Sequence, residues 1–192
     1  MQIKDIAEVI SGYTFRKAME PNKNGNMFVF QAKNIVQGEP FTKIKDLTKI
    51  LYEVVSHTNF LKENDVVIVA RGMKSGSFRT TVFKLKDQDV IASSSVHIIR
   101  INSNKILPEY LSYYLNSQQG QKDLSGEISG SYIGALPRKN LSEIKIPIPD
   151  LKKQKAIINL YENIKEQEKI TAIKIKIKEN IINTTFKNLI NK

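Results

Sequence analysis

Hydrophobic positions divide the chain at about residue 150. Before that point, short apolar runs alternate with turn material. The β-rich runs Met27–Phe30, Val66–Ala70, Thr81–Leu85 and Val96–Ile101 predict strands. Turn segments such as Asn22–Asn26 and Ser75–Gly76 separate them. One helix is legible: Pro108 suits a first turn, Tyr110, Leu111, Tyr114 and Leu115 make one face, and Gly120 suits the stop. Residues 125–134 are polar and Gly/Ser-rich and predict a flexible loop.

After residue 150 the pattern changes to a helical period. All nine Gly and six Pro precede residue 150, and the 42 residues Leu151–Lys192 contain neither. The change is marked by Ile144-Lys145-Ile146-Pro147-Ile148-Pro149-Asp150. Alternate prolines force extended backbone on the residue before each, and Asp150 then offers an N-cap. A single helix over 151–192 would span roughly 63 Å, far beyond the ~15 Å radius of gyration of a 150-residue domain. One apolar stripe runs its length through Ile157, Leu160, Tyr161, Ile164, Ile175, Ile182, Phe186 and Leu189, interrupted by Glu168 and Thr171. A second stripe, Ile170, Ile173, Ile177 and Ile181, occupies the opposite side of the distal half. Two stripes call for two partners. Ile157, Ile164, Ile175, Ile182 and Leu189 are the expected seam of a helical pair.

Charge sharpens this picture. Lys and Arg number 30 against 19 Asp and Glu, a net charge of +11. Residues 1–150 hold 20 basic and 15 acidic groups, and residues 151–192 hold 10 and 4. A surplus of this size favours a polyanionic partner, nucleic acid before an anionic membrane. The chain has no Cys, which excludes disulfides, thiolate metal sites and cysteine nucleophiles. His57 and His97 are the only histidines, so a multi-histidine metal centre is excluded too. No apolar run reaches the ~18–20 residues of a membrane span, and the first residues lack a signal-peptide core. A cytoplasmic location is the expectation.

Candidate chemistry is sparse. Arg71-Gly72-Met73-Lys74-Ser75-Gly76-Ser77 lacks the spacing of a nucleotide-binding loop, and a basic loop touching nucleic-acid phosphates is the better reading. Glu143-Ile144-Lys145 resembles a fragment of a metal-dependent nuclease motif, but the second carboxylate expected upstream after a Pro is missing. His97 alternates with Val96 and Ile98, as a satisfied strand histidine would. Aromatic and basic residues mingle in Tyr13-Thr14-Phe15-Arg16-Lys17, and Ser131-Tyr132 lies close to Arg138-Lys139. Such mixtures suit DNA, whose phosphates take Arg, Lys and hydroxyls and whose bases take side-chain edges. Arg71, Lys74 and Arg79 are the first candidates for DNA contact. Arg16, Lys17, Ser131, Tyr132 and Arg138 follow.

The combined pattern resembles a known family. Ile6-Ala7-Glu8-Val9-Ile10-Ser11-Gly12 and Glu63-Asn64-Asp65-Val66-Val67-Ile68-Val69-Ala70-Arg71-Gly72 are similar to segments of the target recognition domain of type I restriction-modification specificity subunits. Leu107–Ser117 with Gly120-Gln121 continues the likeness. Leu141–Gln154 resembles the family's "I-x-I-P-x-P-x-L-x-x-Q" passage into its long helix, with Asp150 where Pro is frequent and Lys152-Lys153 replacing an acidic pair. Family members usually carry two recognition domains and two long helices; this chain has one of each.

The resemblance implies an α+β fold: a mixed target recognition domain over 1–150, then a long helix over 151–192 for coiled-coil-like dimerisation and methyltransferase docking. It implies a non-catalytic DNA-specificity subunit that directs a methyltransferase, and possibly a restriction subunit, to a bipartite inverted repeat as a homodimer. S-adenosylmethionine, ATP and magnesium would sit on the partner subunits, with no cofactor in this chain. Two other readings compete: a basic coiled-coil adaptor that binds DNA without sequence preference, and a small metal-dependent nuclease.

Overall fold

The computed structural model describes residues 1–52, 59–73, 77–127 and 133–190. The chain divides into two compact units, Met1–Gln154 and Lys155–Lys192. The first is an α+β head.

Its described residues form three sheets. The four-stranded sheet runs β1 (Ala7–Ser11), β8 (Val96–Ile101), β4 (Val66–Val69), β6 (Thr80–Val82), all antiparallel. The three-stranded sheet sets β2 (Met27–Phe30) between antiparallel β3 (Thr48–Ile50) and parallel β7 (Val90–Ala92). β5 (Arg71–Met73) and β9 (Ile133–Ala135) form a two-stranded ribbon. β4 and β7 are apolar at every position and buried throughout, because both faces are covered.

One apolar cluster joins the two larger sheets. It includes Ile10, Val67, Val96 and Ile98 from one, and Phe30, Val90 and Ala92 from the other. Phe41 and Phe83 fill the space around Phe30, with Phe30 and Phe41 edge to face at 4.9 Å and Phe41 stacked on Phe83 at 6.0 Å.

Short helices close the edge of the four-stranded sheet. Asn116, at the end of α1 (Pro108–Asn116), accepts from the Thr80 amide at 2.9 Å and donates to the Thr80 carbonyl at 3.0 Å. Gln121, in α2 (Gln118–Gly126), accepts from the Phe78 amide at 3.2 Å and donates to the Phe78 carbonyl at 3.0 Å. Two side-chain amides thus complete the hydrogen bonding of an edge segment that has no further strand beside it. Gly120 is not a helix stop, as the sequence suggests, but lies inside α2. A Cβ there would stand 2.1 Å from the Tyr114 carbonyl oxygen, so the sharp turn between α1 and α2 requires glycine. Ser117 caps the second helix, accepting from the Gly120 amide at 3.1 Å.

The predicted strand Thr81–Leu85 is shorter and begins earlier, at Thr80. The predicted loop 125–134 is partly ordered, since α2 reaches Gly126 and β9 starts at Ile133; residues 128–132 lie outside the described residues.

A short helix, α3 (Arg138–Glu143), precedes the Pro-containing segment. The 40-residue α4 spans Leu151–Ile190. Asp150 caps it, accepting from the Lys153 amide at 2.8 Å, and that bond holds the carboxyl below its usual pKa. Gln154 is fully buried in the head, where it accepts from the Leu107 amide at 2.9 Å and donates to the Lys105 and Pro149 carbonyls at 2.8 Å. From Lys155 onward the helix belongs to the second unit, and Ile157, Ile164, Ile175, Ile182 and Leu189 are 42% to 67% exposed. The second stripe, Ile170, Ile173, Ile177 and Ile181, is exposed as well. Among the described residues, no helix is long and apolar enough to cross a membrane.

Candidate nucleic-acid interface

Three of the basic segments singled out in the sequence emerge from one end of the four-stranded sheet. A chain of backbone hydrogen bonds connects them. The Tyr13 carbonyl, just past β1, accepts from the Ser94 amide at 2.8 Å. The Ser95 carbonyl accepts from the Ala70 amide at 2.9 Å, and the Ala70 carbonyl accepts from the Leu136 amide at 2.9 Å. Arg16 and Lys17 follow Tyr13, Arg71 follows Ala70, and Arg138 lies two residues past Leu136. All four side chains are exposed.

The turn Ser93–Ser95 is the centre of this arrangement. Its Ser95 hydroxyl accepts from the Ala32 amide at 3.0 Å and lies 2.7 Å from the Ser93 hydroxyl. Gly12 packs against it so closely that a Cβ would meet the Ser93 carbonyl oxygen at 1.9 Å and the Val96 carbonyl oxygen at 2.8 Å. Both obstacles are backbone, so glycine is required for close approach.

Arg71 opens β5, where it pairs with Ala135 of β9. The ribbon therefore gathers the ends of both segments that lead to the remaining candidates. Lys74, Ser131 and Tyr132 themselves lie outside the described residues, as does His57. Arg79 is half-buried, and its carbonyl accepts from the Val69 amide at 3.1 Å. Its neighbours Phe78 and Thr80 are the residues clamped by Gln121 and Asn116, so the backbone that carries Arg79 is fixed on both sides.

Pairing separates these cations from others in the head. Arg100 makes a two-point contact with Asp65, at 3.0 and 2.7 Å, which raises its pKa through hydrogen bonding. Lys84 pairs with Glu109, and Lys86 lies 3.4 Å from Glu63. Among the described residues, Arg16, Lys17, Arg71, Arg79 and Arg138 pair with no carboxylate. Unpaired exposed cations keep their charge available to an external anion.

Aromatic side chains stand beside Arg16. Tyr13, Phe15 and Tyr52 contact one another edge to face, at centroid distances of 5.0 to 6.1 Å. Desolvation and then the neighbouring Tyr52 raise the Tyr13 pKa, and the Arg16 charge acts against them.

His97 of β8 links the core to the ribbon. Its Nε2 lies 2.8 Å from the Leu136 carbonyl oxygen, so the neutral ring donates there. Its Nδ1 is buried with no partner among the described residues, so the histidine is satisfied on one side only. Burial is the main cause of a lowered pKa; the Leu136 hydrogen bond opposes it, and Arg138 adds to it. Among the described residues, no group of three or more His, Asp or Glu could hold a metal ion.

Sequence reasoning missed the positioning residues Gly12, Ser95, Asn116 and Gln121. None carries charge or follows a hydrophobic period, and their roles depend on contacts between segments far apart in sequence.

The fold and this site can be set beside known proteins. The family model for the "Type I restriction modification DNA specificity domain" matches residues 1–189. The chain belongs to this family. The specificity subunit of the MjaVIII type I restriction enzyme from Methanocaldococcus jannaschii is 28% identical over 182 residues, which cover 94% of this chain and 42% of that protein. The chain therefore spans less than half the length of this curated relative. Solved structures share the fold. A chain from a study of complex assembly and conformational transition of the type I R-M system aligns with a TM-score of 0.63 at 20% identity, over 87% of this chain and 38% of that one. The HsdS subunit from Thermoanaerobacter tengcongensis aligns at 0.58 with 19% identity, over 87% and 37%. The S subunit from M. genitalium aligns at 0.55 with 18% identity, over 92% and 41%.

Membership gives the Leu141–Gln154 motif a physical meaning. Its prolines keep the chain extended beside the N-terminus, where the Ile146 amide donates to the Met1 carbonyl at 2.7 Å. Its glutamine fastens the first turn of α4 to the head.

Proposed function

We propose that this chain is the DNA-sequence reader of a type I restriction-modification complex, with no catalysis of its own. The head, residues 1–150, contacts the duplex through the basic end of its four-stranded sheet. Arg71 and Arg79 are the first candidates for base or phosphate contact there, with Arg16, Lys17 and Arg138 around them. The helix, residues 151–192, joins two copies through one stripe and meets a methyltransferase subunit through the other. A restriction subunit would complete the assembly. S-adenosylmethionine, ATP and magnesium belong to those partners.

The observation that carries this reading is the linkage of three unpaired basic segments through one backbone hydrogen-bonded path. A merely soluble surface does not need its free cations gathered on rigid, connected backbone, whereas a reader of bases does. Two copies related by a two-fold axis present identical readers in opposite orientation. Their target is then an inverted repeat with a gap set by the helices.

Selection from a random duplex pool tests the reading. The chain should enrich one sequence, with affinity falling linearly in log salt at about −0.9 per phosphate neutralised. Arg71→Ala and Arg79→Ala should either relax the preference at one position, at about 1–3 kcal/mol, or weaken all sequences alike. Binding without enrichment, or a flat salt profile, would count against a sequence reader.

A further inference from the structure

The exposed stripe of α4 is symmetric under reversal of the chain. Ile157 and Ile182 are equidistant from the midpoint between Lys169 and Ile170. So are Ile164 and Ile175, and so are the two polar interruptions, Glu168 and Thr171. We infer that two copies pair their long helices antiparallel in one register, with the two-fold axis at that midpoint. This rests on the proposed homodimer and adds its geometry.

The register places Ile157 opposite Ile182 of the second copy and Ile164 opposite Ile175, each pair occurring twice. Glu168 then meets the Thr171 hydroxyl, which can donate to it, and Tyr161 meets the stem of Lys178. In heptad terms each layer joins an a position to a d position, as antiparallel coiled coils require. The flanking positions agree. Leu160 and Ile181, 62% and 60% exposed, come together, and so do Leu151 and Phe186, 42% and 59% exposed. Gln154 takes no part, because its side chain is buried in the head.

The alternatives are worse. A parallel in-register pair sets Glu168 against Glu168 and Lys178 against Lys178, and like charges in a seam cost stability. Sliding the antiparallel pair by one heptad, so that Ile164 faces Ile182, puts Thr171 against Ile175 and Lys174 against its own copy beside the axis. That slide also separates Leu160 from Ile181. The central Glu168–Thr171 layers, which are less stable than apolar ones, then serve to fix register.

The absence of Cys makes the test direct. Ile164→Cys and Ile175→Cys chains are prepared separately, mixed, oxidised and run on a non-reducing gel, with sedimentation of the reduced mixture in parallel. The inferred register gives a cross-linked dimer from the mixture and little from either variant alone. Ile157→Cys with Ile182→Cys should behave the same way. Strong linkage of Ile164→Cys with Ile182→Cys, self-linkage of Ile164→Cys, or a sedimenting dimer that links in no combination would overturn the register and leave the homodimer standing. A monomer in sedimentation at every concentration tested would overturn the homodimer itself.

Discussion

Replacing Asn116 by Leu probes how the head holds its reading edge. Asn116 is buried, 7% exposed, and its amide completes both backbone groups of Thr80, at 2.9 and 3.0 Å. Leucine has similar volume and fills the space, so the change isolates the hydrogen bonds from packing. It leaves one N–H and one C=O of an edge strand without partners under a helix that keeps water out. Each buried unsatisfied group costs about 1–3 kcal/mol. Relief of the amide's own desolvation offsets about 1–3 kcal/mol of that total. The expected net loss is about 2–4 kcal/mol, a large share of a domain's usual stability of ~5–15 kcal/mol. Urea unfolding followed by circular dichroism measures it, with the midpoint falling and the slope unchanged. Because Thr80 adjoins Arg79, DNA affinity should fall further than Arg79→Ala alone would cause. A stability change below about 0.5 kcal/mol would refute the claim that side-chain amides stand in for a missing strand.

Two further outcomes follow from the same geometry. Gly12→Ala drives a methyl group into the Ser93 carbonyl; the strain should cost about 1–3 kcal/mol and impair DNA binding, and calorimetry showing an unchanged melting temperature would contradict the close approach. His97 has its pKa lowered by burial, so the unfolded chain takes up a proton first as pH falls. Its contribution is complete above the unfolded value of about 6.5 and is lost as pH drops below that toward the folded pKa. Unfolding midpoints for the wild type should therefore fall more steeply between about pH 7 and 5 than those of His97→Asn, and parallel curves would show that His97 does not titrate with folding.

The strands Met27–Phe30 and Val96–Ile101 are legible because their β-branched and aromatic runs face packed surroundings. β5, β7 and β9 have three residues each, too few for a period to show. The long helix is legible from end to end, since nothing in its sequence breaks it. Gly120 is ambiguous by nature: a glycine after an apolar face suits either a helix stop or a close contact, and only the Tyr114 carbonyl decides. Of the interface, the charges could be read and their convergence could not. Arg16, Arg71 and Arg138 are far apart in sequence, and the path through Ser94, Ser95, Ala70 and Leu136 exists only after the sheets have paired.

Methylation mapping tests the central claim most directly. This chain is produced with its candidate methyltransferase, with no second specificity subunit, and modified positions are mapped across a genome. A sequence-reading homodimer predicts methylation confined to one motif, whose two halves are an inverted repeat separated by a gap of constant length. Methylation at a continuous site, at unrelated half-sites, or without any motif would contradict it.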